Sequence, residues 1–176
     1  MIAIGAPTLL WTRRPSTTGI PLLFAVFGTL WTFAMFPTEM YDYDAPSPIR
    51  LVALIACTDL IQTIVHAMIH KRWLGERALR AHQIHHVHKS PSPDAAFETG
   101  VMDAVLQIIA PLYAALCLIR PDRCTAILFG MAYSQWLLYI HTGNADHGIP
   151  FLVSPRYHAT HHTHPYKHFG HVICIA

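Results

Sequence analysis

The stretch IRLVALIACTDLIQTIVHAMIH, residues 49–70, combines a long apolar run with polar residues at regular spacing. About 20 consecutive apolar residues are enough for a helix to cross a hydrocarbon core of about 30 Å. At 3.6 residues per turn, five polar side chains fall within about 100° of one another on such a helix: Asp59, Gln62, Thr63, His66 and His70. Polar groups are costly against lipid, so we expect this stripe to face the interior of a helix bundle.

The composition of the whole chain indicates a membrane protein. Its 176 residues are 53% hydrophobic and only 12% charged, about half the charged share of a typical soluble domain. The mean hydropathy is positive. The net charge of +2, without a basic stripe, argues against nucleic acid as a partner. The four cysteines form no CxxC pair, so they indicate neither a disulfide framework nor a thiolate zinc site.

Three further apolar stretches lie at 20–36, 101–119 and 124–140. We therefore predict an all-α fold, an integral membrane bundle of four transmembrane helices with a histidine-rich cytosolic cap. Residues 1–176 are predicted to form a single domain. Only 120–123 joins the third and fourth stretches, which predicts a tight antiparallel hairpin there.

Basic residues set the predicted orientation of this bundle. They concentrate in the N-terminal tail, in the loop between the second and third spans and near the end of the chain, whereas the loop after the first span is acidic. Four crossings with both termini and the long middle loop in the cytoplasm satisfy this pattern. Arg120 and Arg123 fall on the opposite side. The sequence therefore predicts an integral membrane protein that crosses the bilayer several times.

The 14 histidines gather in clusters that this topology brings to one membrane face. The clusters read HAMIH (66–70), HQIHH (82–86), HTGNADH (141–147) and HATHH (158–162). On a helix, residues i, i+3 and i+4 project from one side, so each HxxHH presents a compact patch of imidazoles. A neutral imidazole is a good ligand for iron, zinc or copper. One metal takes four to six ligands, so eight or nine histidines from four segments fit two metals better than one.

The histidines outside the clusters and the acidic residues near them are expected to lie outside the set of metal ligands. His88, His164, His168 and His171 are expected at the surface. A histidine that binds a metal through one ring nitrogen usually donates the N–H of its other ring nitrogen to an acceptor. The candidate acceptors are Asp59, Glu98, Asp103 and Asp146. Asp59 is the best placed of these, two turns from His66 on the same face, although a hydrogen bond within the bundle explains it equally well.

The histidine boxes HAMIH, HQIHH and HATHH, with IHTGN and LVSPRYH between the last two, resemble the fatty acid hydroxylase and sterol desaturase superfamily of membrane-bound diiron oxygenases. The resemblance covers about 50 to 170, and SPRYHATHH is its most specific part. It implies four transmembrane helices under a cytosolic cap and two non-haem iron ions held by histidines. By motif match, the implied metal ligands are His66, His70, His82, His85, His86, His141, His158, His161 and His162.

Three positions depart from the family pattern. After the residue matching His141, family members often have a further ligand, for which Asn144 and His147 are the candidates and His147 is preferred. The Asn-aromatic-Gly element that often follows the last box reads HFG here, with His168 in the place of the asparagine. Members usually continue with a helix bearing a Trp-Asp pair, whereas this sequence stops at Ala176, so a C-terminally truncated member is an open interpretation.

The resemblance implies an iron-dependent enzyme of lipid biosynthesis that uses O2 to hydroxylate or desaturate an apolar lipid, such as a fatty acyl chain, a sterol or a carotenoid. It assigns no catalytic residues beyond the metal ligands. The sequence contains neither GxGxxG after a strand nor CxxCH, so electrons are expected from an external donor, and the resemblance implies a donor of the ferredoxin or cytochrome b5 type. The ligand spacing does not separate hydroxylase from desaturase.

Two alternatives remain open at the level of sequence. A histidine-rich metal transporter or metal-binding membrane protein is one, and an inactive truncated homologue is the other. A transporter is expected to carry ligands near the bilayer midplane. Here nearly all the histidines gather at one face and only Asp59 lies deep, which favours a fixed catalytic cluster.

Overall fold

The computed structural model describes residues 36–42, 45–143, 145–146 and 148–174. The predicted first span, 20–36, lies outside these residues except for Phe36, and His147 also lies outside them. The described residues contain no β-strand and five helices: α1 Pro48–His70, α2 Glu76–Gln83, α3 Val101–Ile119, α4 Arg123–Ile140 and α5 Pro155–Thr163. Short 3-10 turns occupy Thr38–Met40, His85–Val87 and Pro93–Phe97.

Helix α1 begins where local chemistry favours a start. The Ser47 side chain accepts a hydrogen bond from the Arg50 N–H at 3.3 Å, and Pro48 occupies the first turn. The predicted polar stripe is buried along this helix, from Asp59 to His70, while its exposed side chains include Ile49, Val52, Leu60 and Ile64. A helix with a polar buried face and an apolar exposed face is the reverse of a soluble amphipathic helix.

Two helices, α1 and α3, are long and apolar enough to cross a membrane. They match two of the predicted spans, 49–70 and 101–119, to within a residue. Helix α4 fills the predicted fourth span, but it is less apolar because it includes Arg123, Ser134 and Gln135. The all-helical class is therefore confirmed for the described residues, and a bundle of four crossings stays a prediction.

Helix α3 is not regular along its length. A π-helical segment, Val105–Ile109, lies between the α-helical parts Val101–Ala104 and Ala110–Ile119. Pro111 explains its position, because a proline ring clashes with the carbonyl four residues earlier and removes one helical hydrogen bond. The helix ends at Arg120, which has the left-handed conformation (φ 47°) and donates its N–H to the Leu116 carbonyl at 2.9 Å.

The packing of the long helices brings the histidines to one end. Helices α3 and α4 are joined by a short turn, as predicted, but both pack mainly against α1 rather than against each other. Their shared core contains Leu54 from α1, Leu116 from α3 and Phe129 from α4. The end of α1, the start of α3 and the end of α4 thus meet, and α2 and α5 pack onto that end.

Candidate metal centre

The structure brings together all nine predicted ligands that it describes, in two groups. The five-histidine group consists of His66, His70, His82, His86 and His161, and the four-histidine group of His85, His141, His158 and His162. Within each group, one nitrogen from every residue lies within 4.8 Å of all the others. The tenth predicted ligand, His147, lies outside the described residues.

Both HxxHH boxes are divided between the two groups, in opposite senses. In HQIHH, His82 and His86 belong to the five-histidine group and His85 to the four-histidine group. In HATHH, the outer pair belongs to the four-histidine group, and only His161 joins the other. In each box the i and i+4 residues stay together. The groups adjoin, since the His86 and His162 ring centroids are 4.7 Å apart. The sequence predicted one compact patch per box and gave no indication of this division.

The ring nitrogens of the five-histidine group point at one another. The Nε2 atom of His66 lies 2.9 Å from that of His82, 3.0 Å from that of His161 and 3.2 Å from that of His70. The Nε2 atom of His86 lies 3.0 Å from that of His82. These separations bring the Nε2 atoms together around one small volume.

Hydrogen bonds behind the rings fix which nitrogen carries the proton. The Nδ1 atom of His66 lies 3.0 Å from the Phe169 carbonyl, and that of His161 lies 2.7 Å from the Lys167 carbonyl. A carbonyl only accepts, so both Nδ1 atoms donate and both Nε2 atoms of the neutral rings present lone pairs. These two lone pairs face each other at 3.0 Å with no hydrogen between them. A metal cation would replace this repulsion with ligation, so the donor set fits a metal ion.

The four-histidine group follows the same chemistry. His141 donates from Nδ1 to the Leu137 carbonyl at 2.7 Å, and His162 donates from Nδ1 to the His88 carbonyl at 2.9 Å. The Nε2 atom of His158 lies 3.0 Å from that of His141 and 3.1 Å from that of His162. This group therefore also offers converging lone pairs to a cation.

One buried carboxylate supports a ring directly. His82 Nδ1 donates to Asp103 Oδ1 at 3.0 Å, and Thr99 donates its hydroxyl to Asp103 Oδ2 at 2.5 Å. Carboxylates behind metal-ligating histidines orient the ring and make it a stronger base. Of the other candidate acceptors, Glu98 pairs with His88 at 2.8 Å, and Asp146 accepts from the nearby Gly148 N–H at 3.1 Å.

Asp59, which the sequence made the best-placed acceptor, bonds no imidazole among the described residues. Its carboxylate instead accepts hydrogen bonds from the backbone N–H groups of His171, Val172 and Ile173 at 3.1, 2.9 and 2.9 Å. These three donors occupy both of its oxygens. Asp59 therefore has a structural hydrogen-bonding role, which is the alternative that the sequence left open.

Burial keeps several histidines of the site neutral at pH 7. Burial, with the repulsion of neighbouring histidines, lowers the pKa of His85 to about 4 and that of His171 to about 3. Burial lowers the pKa of His161 to about 2, and it also lowers the pKa values of His141 and His158 well below the ordinary range. Neutral rings are the form that binds a metal.

The expectation that His171 lies at the surface is wrong. Only 8% of it is exposed, and its ring centroid lies 5.0 Å from that of His66 and 6.0 Å from that of His158, so it adjoins both groups. No box spacing includes it, so the sequence carried no signal for this position. His88 and His164 are exposed, as expected, whereas His168 is half-buried.

Comparison with known proteins identifies the family. Residues 51–176 match the model of the fatty acid hydroxylase family, so the chain belongs to this family, as the histidine boxes predicted. It is also 26% identical over 166 residues to a protein of Phaeodactylum tricornutum (strain CCAP 1055/1) named "Alternative squalene epoxidase". That match covers 88% of this chain but 46% of the relative, so the chain spans less than half the relative's length. No solved structure matches.

Proposed function

We propose that this protein is an O2-dependent oxidoreductase that hydroxylates or desaturates an apolar lipid with two non-haem irons, one in each histidine group. The observation that carries the proposal is the convergence of nine Nε2 atoms in two adjoining buried groups. In several of these histidines, a hydrogen bond donated from Nδ1 fixes the tautomer of the ring and leaves the Nε2 lone pair free to bind a metal. Such groups suit cations that accept lone pairs.

The residues of the chain would divide the work as follows. The five-histidine group would hold one iron and the four-histidine group the other, and His147 is proposed as a further ligand. Asp103 would keep His82 in the tautomer that presents Nε2. When bound, the iron pair supplies the reduction of O2 and the removal of hydrogen from an unactivated C–H bond. Electrons would come from an external donor of the ferredoxin or cytochrome b5 type.

The substrate is proposed to reach the site from the bilayer. The exposed face of α1 is apolar, and its buried face leads to His66 and His70 at the end of the helix. This arrangement suits a fatty acyl chain, a sterol or a carotenoid. The relative's name adds epoxidation of an isoprenoid hydrocarbon to the reactions worth testing. We further propose that the chain crosses the membrane several times and that the histidine groups lie at its cytoplasmic face, as its basic residues indicate.

The decisive experiment measures iron and lipid product together. The purified protein should contain about two irons per chain. Cells that express it with a suitable electron donor should accumulate lipids with one added oxygen or two fewer hydrogens. His161→Ala should remove the iron of the five-histidine group, and His162→Ala that of the four-histidine group, and each should abolish the product. His164→Ala is the matched control, because it lies in the same segment and is exposed.

Three outcomes would overturn the proposal. Full iron content and full product formation in His161→Ala would show that the last histidine box does not bind the metal. Zinc uptake into proteoliposomes by the wild-type protein, without lipid oxidation, would favour the metal transporter. Two irons per chain without product from any of the lipid classes named above would favour an inactive homologue.

A further inference from the structure

Segment 167–173 connects a buried carboxylate of α1 to the five-histidine group. At one end, Asp59 accepts three hydrogen bonds from the backbone N–H groups of residues 171–173, at 2.9–3.1 Å. Asp59 is 0% exposed, so water does not compete for its oxygens. Three backbone N–H groups in a row therefore depend on this one side chain, while the carbonyls of His171 and Val172 accept from Trp136 Nε1 and the Val153 N–H. Asp59 thus anchors the N–H side of this end of the segment.

The other end of the segment meets two proposed iron ligands. The Lys167 carbonyl accepts from His161 Nδ1 at 2.7 Å, and the Phe169 carbonyl accepts from His66 Nδ1 at 3.0 Å. These two bonds orient the rings and fix the tautomers that turn both Nε2 lone pairs inward. The four-histidine group takes its carbonyl partners elsewhere, from Leu137 and His88. A change in the position of segment 167–173 therefore affects one group in particular.

We propose that Asp59 is a positioning residue for the metal of the five-histidine group, acting through segment 167–173. Its carboxylate bonds no imidazole among the described residues, and it lies about 10 Å along α1 from His66. It holds the segment whose carbonyls set the orientation of His66 and His161. The inference rests on the proposed function, because it assumes that the five-histidine group holds a metal ion.

The test compares the two metal sites within one protein. Asp59→Asn keeps the shape of the side chain but places an amide NH2 group where an oxygen now accepts from the backbone. Co²⁺ is titrated into the metal-free protein in detergent, the visible absorption of the bound ions is recorded, and bound metal per chain is counted. We expect binding to the five-histidine group to weaken about 10–100-fold with a changed absorption band. Binding to the four-histidine group should keep its wild-type affinity and band.

Two further variants make the test specific. Thr58→Val is the matched control, because Thr58 precedes Asp59, is buried, and has a hydroxyl without a partner among the described residues. It should bind both ions as the wild type does. Trp136→Phe removes one further bond of the segment, from Trp136 Nε1 to the His171 carbonyl at 2.6 Å, and leaves the Val153 N–H bond to the Val172 carbonyl in place. It should weaken the same site as Asp59→Asn, by a smaller factor.

The outcomes separate this inference from the proposed function. If the wild-type protein binds no Co²⁺ in the five-histidine group, the proposed function fails. If it binds two ions and Asp59→Asn also binds both with wild-type affinity, the positioning role is wrong. Equal weakening of both sites likewise contradicts it, because general unfolding would not select one group. If Asp59→Asn does not fold, Asp59→Glu takes its place, because it keeps the carboxylate but shifts it by one methylene group, and wild-type affinity of the five-histidine group in Asp59→Glu overturns the inference.

Discussion

At the scale of single residues, several proposed ligands have an acceptor bonded to Nδ1, and the kind of acceptor differs. His66, His161, His141 and His162 each donate from Nδ1 to a backbone carbonyl. Among the proposed ligands that the structure describes, only His82 donates to a carboxylate, that of Asp103. A carboxylate makes the opposite ring nitrogen a stronger base than a carbonyl does, so His82 is the strongest donor that the five-histidine group offers to a metal.

Replacing Asp103 by asparagine tests this role. Asp103→Asn can keep a hydrogen bond to His82 but loses the negative charge, so affinity for metal in the five-histidine group should fall about 10–100-fold. The measurement is a competition titration with a chelator of known affinity. Asp146→Asn is the control, because Asp146 is exposed and, among the described residues, accepts a local bond from the Gly148 N–H. Equal affinity in Asp103→Asn and the wild type would show that the charge has no influence.

The sequence predicted which histidines meet but not what holds them. Spacings of three and four residues place His82 with His86 and His158 with His162, because those residues share a helical face. His171 was missed because its burial depends on contacts with Asp59, 112 residues away, and no local period reports such a contact. The backbone carbonyls behind the rings were unpredictable for the same reason, since every residue carries one.

At the scale of elements, apolar periodicity located the helices and proline altered one of them. The bounds of α1 and α3 follow the apolar stretches at 49–70 and 101–119. The π-helical segment Val105–Ile109 was not predicted, because a 3.6-residue period assumes a regular helix. Pro111 was visible in the sequence, but the local response to its missing N–H depends on packing.

The end of α3 offers a stability test. Arg120 has φ 47°, a conformation that costs residues other than glycine about 1 kcal/mol. Its ion pair with Asp42 is 3.5 Å long, and the Arg120 side chain is 58% exposed, so the pair contributes little. Arg120→Gly should therefore raise the free energy of unfolding by about 1 kcal/mol, measured by denaturant titration in detergent.

Replacing a second arginine by glycine should change the free energy of unfolding in the opposite direction. Arg80 lies on the exposed side of α2, within the helix. Arg80→Gly should lower the free energy of unfolding by about 1 kcal/mol, because glycine is a poor helix former in a helix interior. If both glycine variants are destabilised alike, the left-handed conformation of Arg120 carries no cost.

At the scale of the whole molecule, the arrangement of polarity is that of a membrane protein. Polar and ionisable groups lie inside at one end, and apolar side chains lie outside. Composition predicted this class, because a chain with few charges and long apolar stretches has too few polar side chains to cover a water-exposed surface. It did not settle the number of crossings, because α4 is of intermediate polarity and 20–36 lies outside the described residues, apart from Phe36.

The buried histidines should make the metal-free protein acid-sensitive. The pKa of His85 is lowered to about 4 and that of His171 to about 3, against 6.5 when unfolded. Between these values the unfolded chain binds more protons than the folded one, so the free energy of unfolding falls as pH drops below about 6.5. The slope is about 1.4 kcal/mol per pH unit for each such histidine.

Thermal unfolding of the metal-free protein in detergent, from pH 7.5 to 4.5, measures this dependence. The midpoint should be constant near pH 7.5 and decline steadily below 6.5. His164→Gln should show the same profile as the wild type, since His164 is exposed. A midpoint that rises on acidification, or that ignores pH, would contradict neutral histidines in the folded protein.

The wide spacing of the ligands along the chain has a consequence for biosynthesis. The fourth ligand of the five-histidine group, His86, and the fifth, His161, are 75 residues apart, a stretch that a ribosome takes roughly 4 to 15 s to translate. For that interval a growing polypeptide displays four imidazoles without the fifth. Copper and zinc bind nitrogen donors more tightly than ferrous iron does, so an unfinished site favours the wrong ion. Recombinant production in zinc-rich medium should therefore yield mismetallated protein, and loading with iron is best done after synthesis is complete.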